Sequence, residues 1–318
     1  MNYLVTGAAG FIGSHLCKRL IEEGAHIVAI DAFTDFYSRS TKENNIRSLV
    51  SQRRFQLIPA DILEENLDEI MDKTDVVFHF AAQPGVRTSW GSNFSVYTKN
   101  NIDATQKLLE AAKKTNLIKF IYASSSSVYG LTPDLPMKET SPLHPYSPYG
   151  VTKLAAENLC FLYHKNYGIP CVSLRFFTVY GPGQRPDMAF HKFFTSILRG
   201  EEIVIFGDGQ QTRDFTFIDD IISANLSSIE NGRAGENYNL GGGSRIKLKD
   251  IIPIFEDICQ KEVKIKYVQG QKGDVRHTFA DIQKAKKDLH YIPKSTLEEG
   301  LRSQWDWIKA YKAGKTNV

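Results

Sequence analysis

The sequence predicts an α/β fold: a doubly wound parallel sheet followed by a smaller, mixed α/β domain that binds substrate. Three observations carry this. Short apolar runs alternate with helical patterns over roughly the first 175 residues. A glycine turn, Gly7-Ala-Ala-Gly10-Phe-Ile-Gly13, joins the first run to the first helix. An acid, Asp31, closes the second run. Together they describe a Rossmann-type sheet that holds a dinucleotide.

Composition narrows the function classes. At 318 residues the chain is too long for one small core, so one large domain or two are expected. The net charge of +3 is spread along the chain, with no basic block of the kind that grips nucleic acid. No apolar run reaches membrane-spanning length, and the N-terminus enters a strand directly, without a leader pattern. Cys17, Cys160, Cys171 and Cys259 are scattered, which points to reduced thiols in a cytoplasmic protein and to no metal site.

Asn2–Thr6 reads as a buried strand, and the glycine turn follows at once, opening a helix through Ile21. Glycines at these places allow a tight turn, close approach of a pyrophosphate and close helix–strand packing. The helix N-terminus then offers free N–H groups to phosphates. The first gap is one residue longer than in Gly-x-Gly-x-x-Gly. His26–Ile30 is the second strand. Asp31 at its end suits ribose hydroxyls and repels a 2′-phosphate, which favours NAD over NADP. Phe55–Pro59 is the third strand, with Asp61-Ile62 after it where an adenine could rest. Asp75–Ala82 is the fourth, leading into the loop Gln83–Arg87. One long helix is expected over Asn93–Thr115, a strand over Ile118–Ala123, a helix over Tyr149–Tyr167 and a strand over Cys171–Phe176.

The second half is more mixed. A helix over Phe190–Arg199, a turn-rich polar segment over Gly207–Asp214, a strand over Asn237–Gly243, a polar loop over Gly270–Asp281 and a helix over Leu297–Lys312 are expected. The division this implies is 1–175 for the dinucleotide domain, with 215–240 returning to it, and 176–214 plus 241–318 for the substrate domain.

The chemistry centres on Ser124–Ser127 and on Tyr149-Gly-Val-Thr-Lys153. A tyrosine and a lysine four apart share a helix face. An ammonium beside a phenol favours the phenolate, so Tyr149 is expected to have a lowered pKa and to act as a general base. At this spacing a surface lysine beside a half-buried tyrosine is the plain alternative. The serines at the preceding strand end would orient the same hydroxyl.

With the glycine turn, Asp31, the serine cluster and Tyr149/Lys153 together, the chain resembles the extended short-chain dehydrogenase/reductase superfamily, essentially end to end. Within it the chain is similar to nucleotide-sugar epimerases, and most of all to UDP-glucuronate 4-epimerases through Arg175-Phe-Phe-Thr-Val-Tyr-Gly-Pro-Gly-Gln-Arg-Pro-Asp-Met-Ala189. The resemblance implies C4 epimerisation of a UDP-sugar through a 4-keto intermediate, with NAD retained. Tyr149, Lys153, Ser125 and Ser127 are then catalytic. The cofactor set is Gly7, Gly10, Phe11, Ile12, Gly13, Asp31, Phe33, Asp61, Ile62, Ala81, Ala82, Asn100, Tyr149 and Lys153. The substrate set is Arg87, Ser125, Ser127, Thr178, Arg185, Arg213, Asp274 and Arg276, with Arg213 and Arg276 resembling a diphosphate clamp and Asp274 a ribose ligand. A homodimer through helices near 100–115 and 150–166 is also implied.

The same resemblance separates relatives. Sugar 4,6-dehydratases carry Asp and Glu where this chain has Ser126 and Ser127, and decarboxylating synthases carry Ser and Glu there. Without a carboxyl group, removal of the C5 proton lacks its agent. Glucose/galactose epimerases carry Asn at the place of Thr178. An acid sugar poses a further demand, since a 4-keto glucuronate is a β-keto acid that loses CO₂ readily. Ser127, Thr178 and Arg185 are expected to hold its carboxylate away from the carbonyl π system. A neutral-sugar 4-epimerase, a UDP-sugar lyase and a non-catalytic NAD sensor are the competing readings.

Overall fold

A computed structural model describes residues 1–243 and 245–314. Seven parallel strands form the main sheet: β1 (Asn2–Thr6), β2 (His26–Ile30), β3 (Phe55–Ile58), β4 (Val76–His79), β5 (Lys119–Ser125), β6 (Cys171–Phe176) and, far along the chain, Glu236–Leu240. Between β6 and that last strand lie β7 (Thr178–Tyr180), β8 (Ile203–Phe206) and β9 (Thr212–Phe217), so the late strand is β10. The order is β10-β6-β5-β4-β1-β2-β3. It reverses between β1 and β4, and in open α/β sheets ligands bind at the strand C-termini beside such a reversal. Both faces of the sheet are covered, so its strands are buried along most of their length; β2 and β4 are largely apolar, while β6 and β10 also bury Ser173, Arg175 and Asn239.

Helices α1 (Phe11–Glu22), α2 (Arg39–Ile46) and α3 (Asp68–Met71) follow the first strands. The long helix expected over 93–115 is instead α4 (Phe94–Thr98), a π turn (Lys99–Asp103) and α5 (Ala104–Ala112). The wide turn has a local cause. It brings Asn101 inward, where its side chain accepts from Gln83 N–H at 2.7 Å and donates to Gln83 C=O and Thr152 Oγ1.

Helix α6 (Pro148–Tyr167) has strong ends. Ser147 caps it by accepting from Gly150 N–H, Pro148 occupies the first turn, and Gly168 at φ 74° stops it. Its inward face is polar as well as apolar. Lys153, Glu157 and Thr152 are buried with Ala156 and Cys160, while Val151, Phe161 and Leu162 are exposed. The apolar face read over Ala155, Ala156, Leu159 and Leu162 is therefore split, with Ala156 inside and Leu162 outside.

The rest builds two small sheets. β9 lies between β7 and β11 (Arg245–Lys247), and β8 pairs with β12 (Ile265–Val268). Helices α7 (Ala189–Arg199), α8 (Ile218–Asn231), α9 (Ile252–Cys259), α10 (Gln283–Leu289) and α11 (Leu297–Lys312) complete the chain. The Gly207–Asp214 segment is not all turn, because β9 begins at Thr212. The strand expected over 237–243 ends at Leu240, before the glycines. β10 pairs with β6 in register Glu236↔Val172 to Leu240↔Phe176, and α8 packs on α1.

Candidate active site

One cleft runs along the C-terminal ends of β1–β6. At its floor the glycine turn is dictated by contact. Gly7 has φ 68°, and a Cβ there would meet Ala81 N at 2.7 Å; a Cβ on Gly13 would meet Gly7 O at 2.3 Å. Only glycine allows both approaches. Gly10 caps α1 with no side-chain hydrogen bond. Asp31 is buried and ties this turn down. Its Oδ2 accepts from Ala9 N–H at 3.0 Å and its Oδ1 from Phe33 N–H at 2.8 Å. A carboxylate has about four acceptor sites, so it can hold the loop and still accept from a ribose. Phe33 itself is buried and does not line the cleft; its backbone, at φ 49°, makes the turn that Asp31 fixes. Asp61, Ile62, Ala81, Ala82, Asn100, Phe11 and Ile12 do line it.

Beside the far wall stand Tyr149, Lys153, Ser125 and Ser127. Lys153 is buried, donates from Nζ to Ala123 O at 2.8 Å, and lies 4.9 Å from the Tyr122 ring centre. Burial pulls its pKa down to about 7. Tyr149 departs from the expectation of a lowered pKa. Burial raises it above the ordinary phenol value, and the opposing pulls from the neighbouring Ser125 hydroxyl and from the Arg185 charge are weaker. Desolvation therefore outweighs the Arg185 charge, and Lys153, turned onto Ala123 O, does not supply the expected lowering. The serines also divide. Ser124 turns into the core and donates to Glu157 Oε2 at 2.6 Å, so it does not orient substrate. β5 ends at Ser125, and Ser126–Val128 is a 3₁₀ turn, so Ser127 reaches the cleft by that turn and not by strand alternation. Ser125 Oγ accepts from Ser127 N–H at 3.1 Å.

Thr178 and Arg185 line the same cleft. Arg185 is forked onto Asp187 at 2.9 and 3.0 Å. The other four substrate candidates lie outside the lining residues. Arg87 pairs with Asp274 at 2.7 Å and stacks over Phe206, its carbon 4.0 Å from the ring centre. Arg276 pairs with Asp208 at 2.8 Å. Arg213 donates to the carbonyls of Thr212 and Arg276.

Residues 3–241 match the NAD dependent epimerase/dehydratase family. The chain belongs to that family. It is similar to UDP-glucuronic acid 4-epimerase from Bacillus cereus, solved in complex with UDP-glucuronic acid and NAD: 48% identity, 98% of this chain and 100% of that one, TM-score 0.95. It is 43% identical to an uncharacterised UDP-glucose epimerase of Bacillus subtilis (strain 168), over 99% of this chain and 100% of that one. It is 40% identical to UDP-glucuronate 4-epimerase of Thermodesulfobacterium geofontis, over 96% of each.

The cleft fits the family's cofactor. An uncapped helix N-terminus at a glycine turn suits a pyrophosphate, and a buried carboxylate with spare acceptor capacity suits a ribose. Among the described residues no His/Cys/Asp/Glu cluster could hold a metal. Sequence reasoning missed Lys42, which lines the cleft, donates to Thr34 O at 3.0 Å and sits 3.7 Å from Asp31 Oδ1. It also missed Asp187 as the partner of Arg185, two residues on, and Glu157, whose signal was its place four residues beyond Lys153.

Proposed function

We propose that this protein interconverts UDP-glucuronate and UDP-galacturonate by epimerisation at C4. The observation that carries this is the wall of the cleft: a phenol and a serine hydroxyl side by side, an arginine fork nearby, and hydroxyls alone at positions 126 and 127. Tyr149 takes the proton of the sugar 4-hydroxyl and returns it to the opposite configuration, with Ser125 donating to the same oxygen. Lys153, anchored on Ala123, holds the ribose beside them. NAD, held by the glycine turn, Asp31 and Lys153, would supply a reversible hydride acceptor for C4. Arg185, released from Asp187, is suited to fork onto the sugar carboxylate. Thr178 and Ser127 keep that carboxylate out of line with the C4 carbonyl.

Identity to full-length UDP-glucuronate 4-epimerases supports the acid sugar. A neutral UDP-hexose is the second reading, favoured by the 43% identity to a UDP-glucose epimerase. Incubation with UDP-glucuronate and, separately, UDP-glucose, followed by product identification, decides between them. The expected result is UDP-galacturonate from the first and little turnover of the second. Turnover of UDP-glucose alone overturns the acid-sugar reading. The exposed Val151, Phe161 and Leu162 on α6 suit a homodimer seam, which sedimentation would test. Four free, buried cysteines suit a cytoplasmic protein, and no helix among the described residues is long and apolar enough to cross a membrane.

A further inference from the structure

Helix α6 grips β5 at three successive residues. Tyr149 stands beside Ser125 in the cleft lining, Lys153 donates to Ala123 O, and Glu157 accepts from Ser124 Oγ. The three helix residues are spaced by four and so lie in one line along α6. The first two grips belong to the site already described. The third reaches elsewhere.

Glu157 is 3% exposed and is itself held by Arg175, 1% exposed, through a fork: Nη2 to Oε1 at 2.5 Å and Nε to Oε2 at 3.1 Å. Arg175 is in register with Ser124 on one side and with Asn239 on the other. Its Nη1 donates to the Tyr129 hydroxyl at 2.8 Å, and that hydroxyl donates to Asn239 Oδ1 at 2.6 Å. A polar row thus crosses β5, β6 and β10 one residue before Ser125, with Glu157 pinning it to the helix. Ion pairs as buried as this one contribute little net stability, since apolar side chains of the same size often do as well. What the pair does supply is a fixed length between helix and strand.

We infer that Glu157 and Arg175 are positioning residues that set the translation of α6 along β5, and with it the placing of Tyr149 against Ser125. This rests on the epimerase reading above. Neither residue lines the cleft, so loss of the pair leaves binding intact and slows the chemical step. Displacements of about an ångström at reacting groups can cost on the order of a hundredfold in rate.

The test compares wild type with Ser124→Ala, Glu157→Gln and the double variant Glu157→Met/Arg175→Met. All are assayed on UDP-glucuronate, with bound NAD quantified and thermal melts recorded. The double variant, with an apolar pair in place of the ionic one, is expected to fold and retain NAD. Its kcat is expected to fall about tenfold or more, with KM within about threefold. Ser124→Ala, which removes only one hydrogen bond, is expected to lower kcat severalfold at unchanged KM. A folded double variant with wild-type kcat overturns the inference, as does an equal rise in KM without loss of kcat. Should the double variant fail to fold, an unaltered kcat in Ser124→Ala overturns it. Wild type inactive on every UDP-sugar would sink the epimerase reading instead, so the two failures are separable.

Discussion

The cleft and the ground beside it hold their candidate functional groups in opposite ways. On the sheet side, the groups are fixed by the backbone: Lys153 on Ala123 O, and Asp31 on Ala9 and Phe33 N–H. Across and beyond it, the candidate ligands are arginines held by acids: Arg185 in the cleft by Asp187, and outside its lining Arg87, in the loop after β4, by Asp274 and Arg276 by Asp208. The difference teaches that the first set is ready before ligand arrives, while the second must trade internal partners for ligand oxygens. Chemistry should therefore be lost by changes on the sheet side, and affinity by changes on the other.

The sharpest way to break this contrast is Tyr149→Phe. Turnover should fall about a thousandfold, within the range for a lost general base, while retained NAD, measured on the purified protein, stays unchanged. Loss of NAD along with activity would mean the phenol anchors and does not react. Arg185→Ala comes next. KM for UDP-glucuronate should rise about tenfold or more, and the share of decarboxylated pentose should increase. An unchanged product ratio would remove Arg185 from control of the carboxylate.

Smaller effects test the fixed side through pH. Lys153 titrates near 7 in the fold against an ordinary 10.5. Between those values the unfolded chain binds more protons, so the lysine's contribution to stability rises with pH across that window. Lys153→Met removes this dependence. The melting temperature of the variant minus that of wild type should be most positive near about pH 6 and should decline toward about pH 9.5. A difference that does not change with pH would show that burial leaves the ammonium unperturbed. The smallest effect belongs to the partly exposed Arg87–Asp274 pair. A double-mutant cycle on unfolding should give about 1 kcal/mol or less, and the KM of either single variant should become less sensitive to salt. A large coupling would mean this pair is as fixed as those on the sheet.

What was legible in the sequence follows the same divide. β6 and α11 have the bounds read from the sequence, because a short β-prone segment between Pro170 and the Phe176-Phe177 step and a strongly capped helix write their ends locally. α8, rich in Ile, Ser and Asn, has little intrinsic helix preference and forms by packing on α1. β7 and β11 are three residues each, too short for periodicity to register. The pairing of Arg87 with Asp274 spans 187 residues and has no local signature. Tyr149's raised pKa was missed for another reason. Spacing places the ammonium on the same helix face, but the fold turns it onto Ala123 O, and the desolvation that raises the phenol is a property of the assembled cleft.

The late strand β10 carries a consequence for the life of the chain. It caps the edge of β6, and α8, which leads into it, covers α1. A ribosome must therefore deliver about 240 residues before the nucleotide-binding sheet can close. Until then β6 offers a bare hydrogen-bonding edge to any neighbouring strand. A fragment cut after the sixth strand, tidy as it looks on paper, should aggregate; one carried through Leu240 should not.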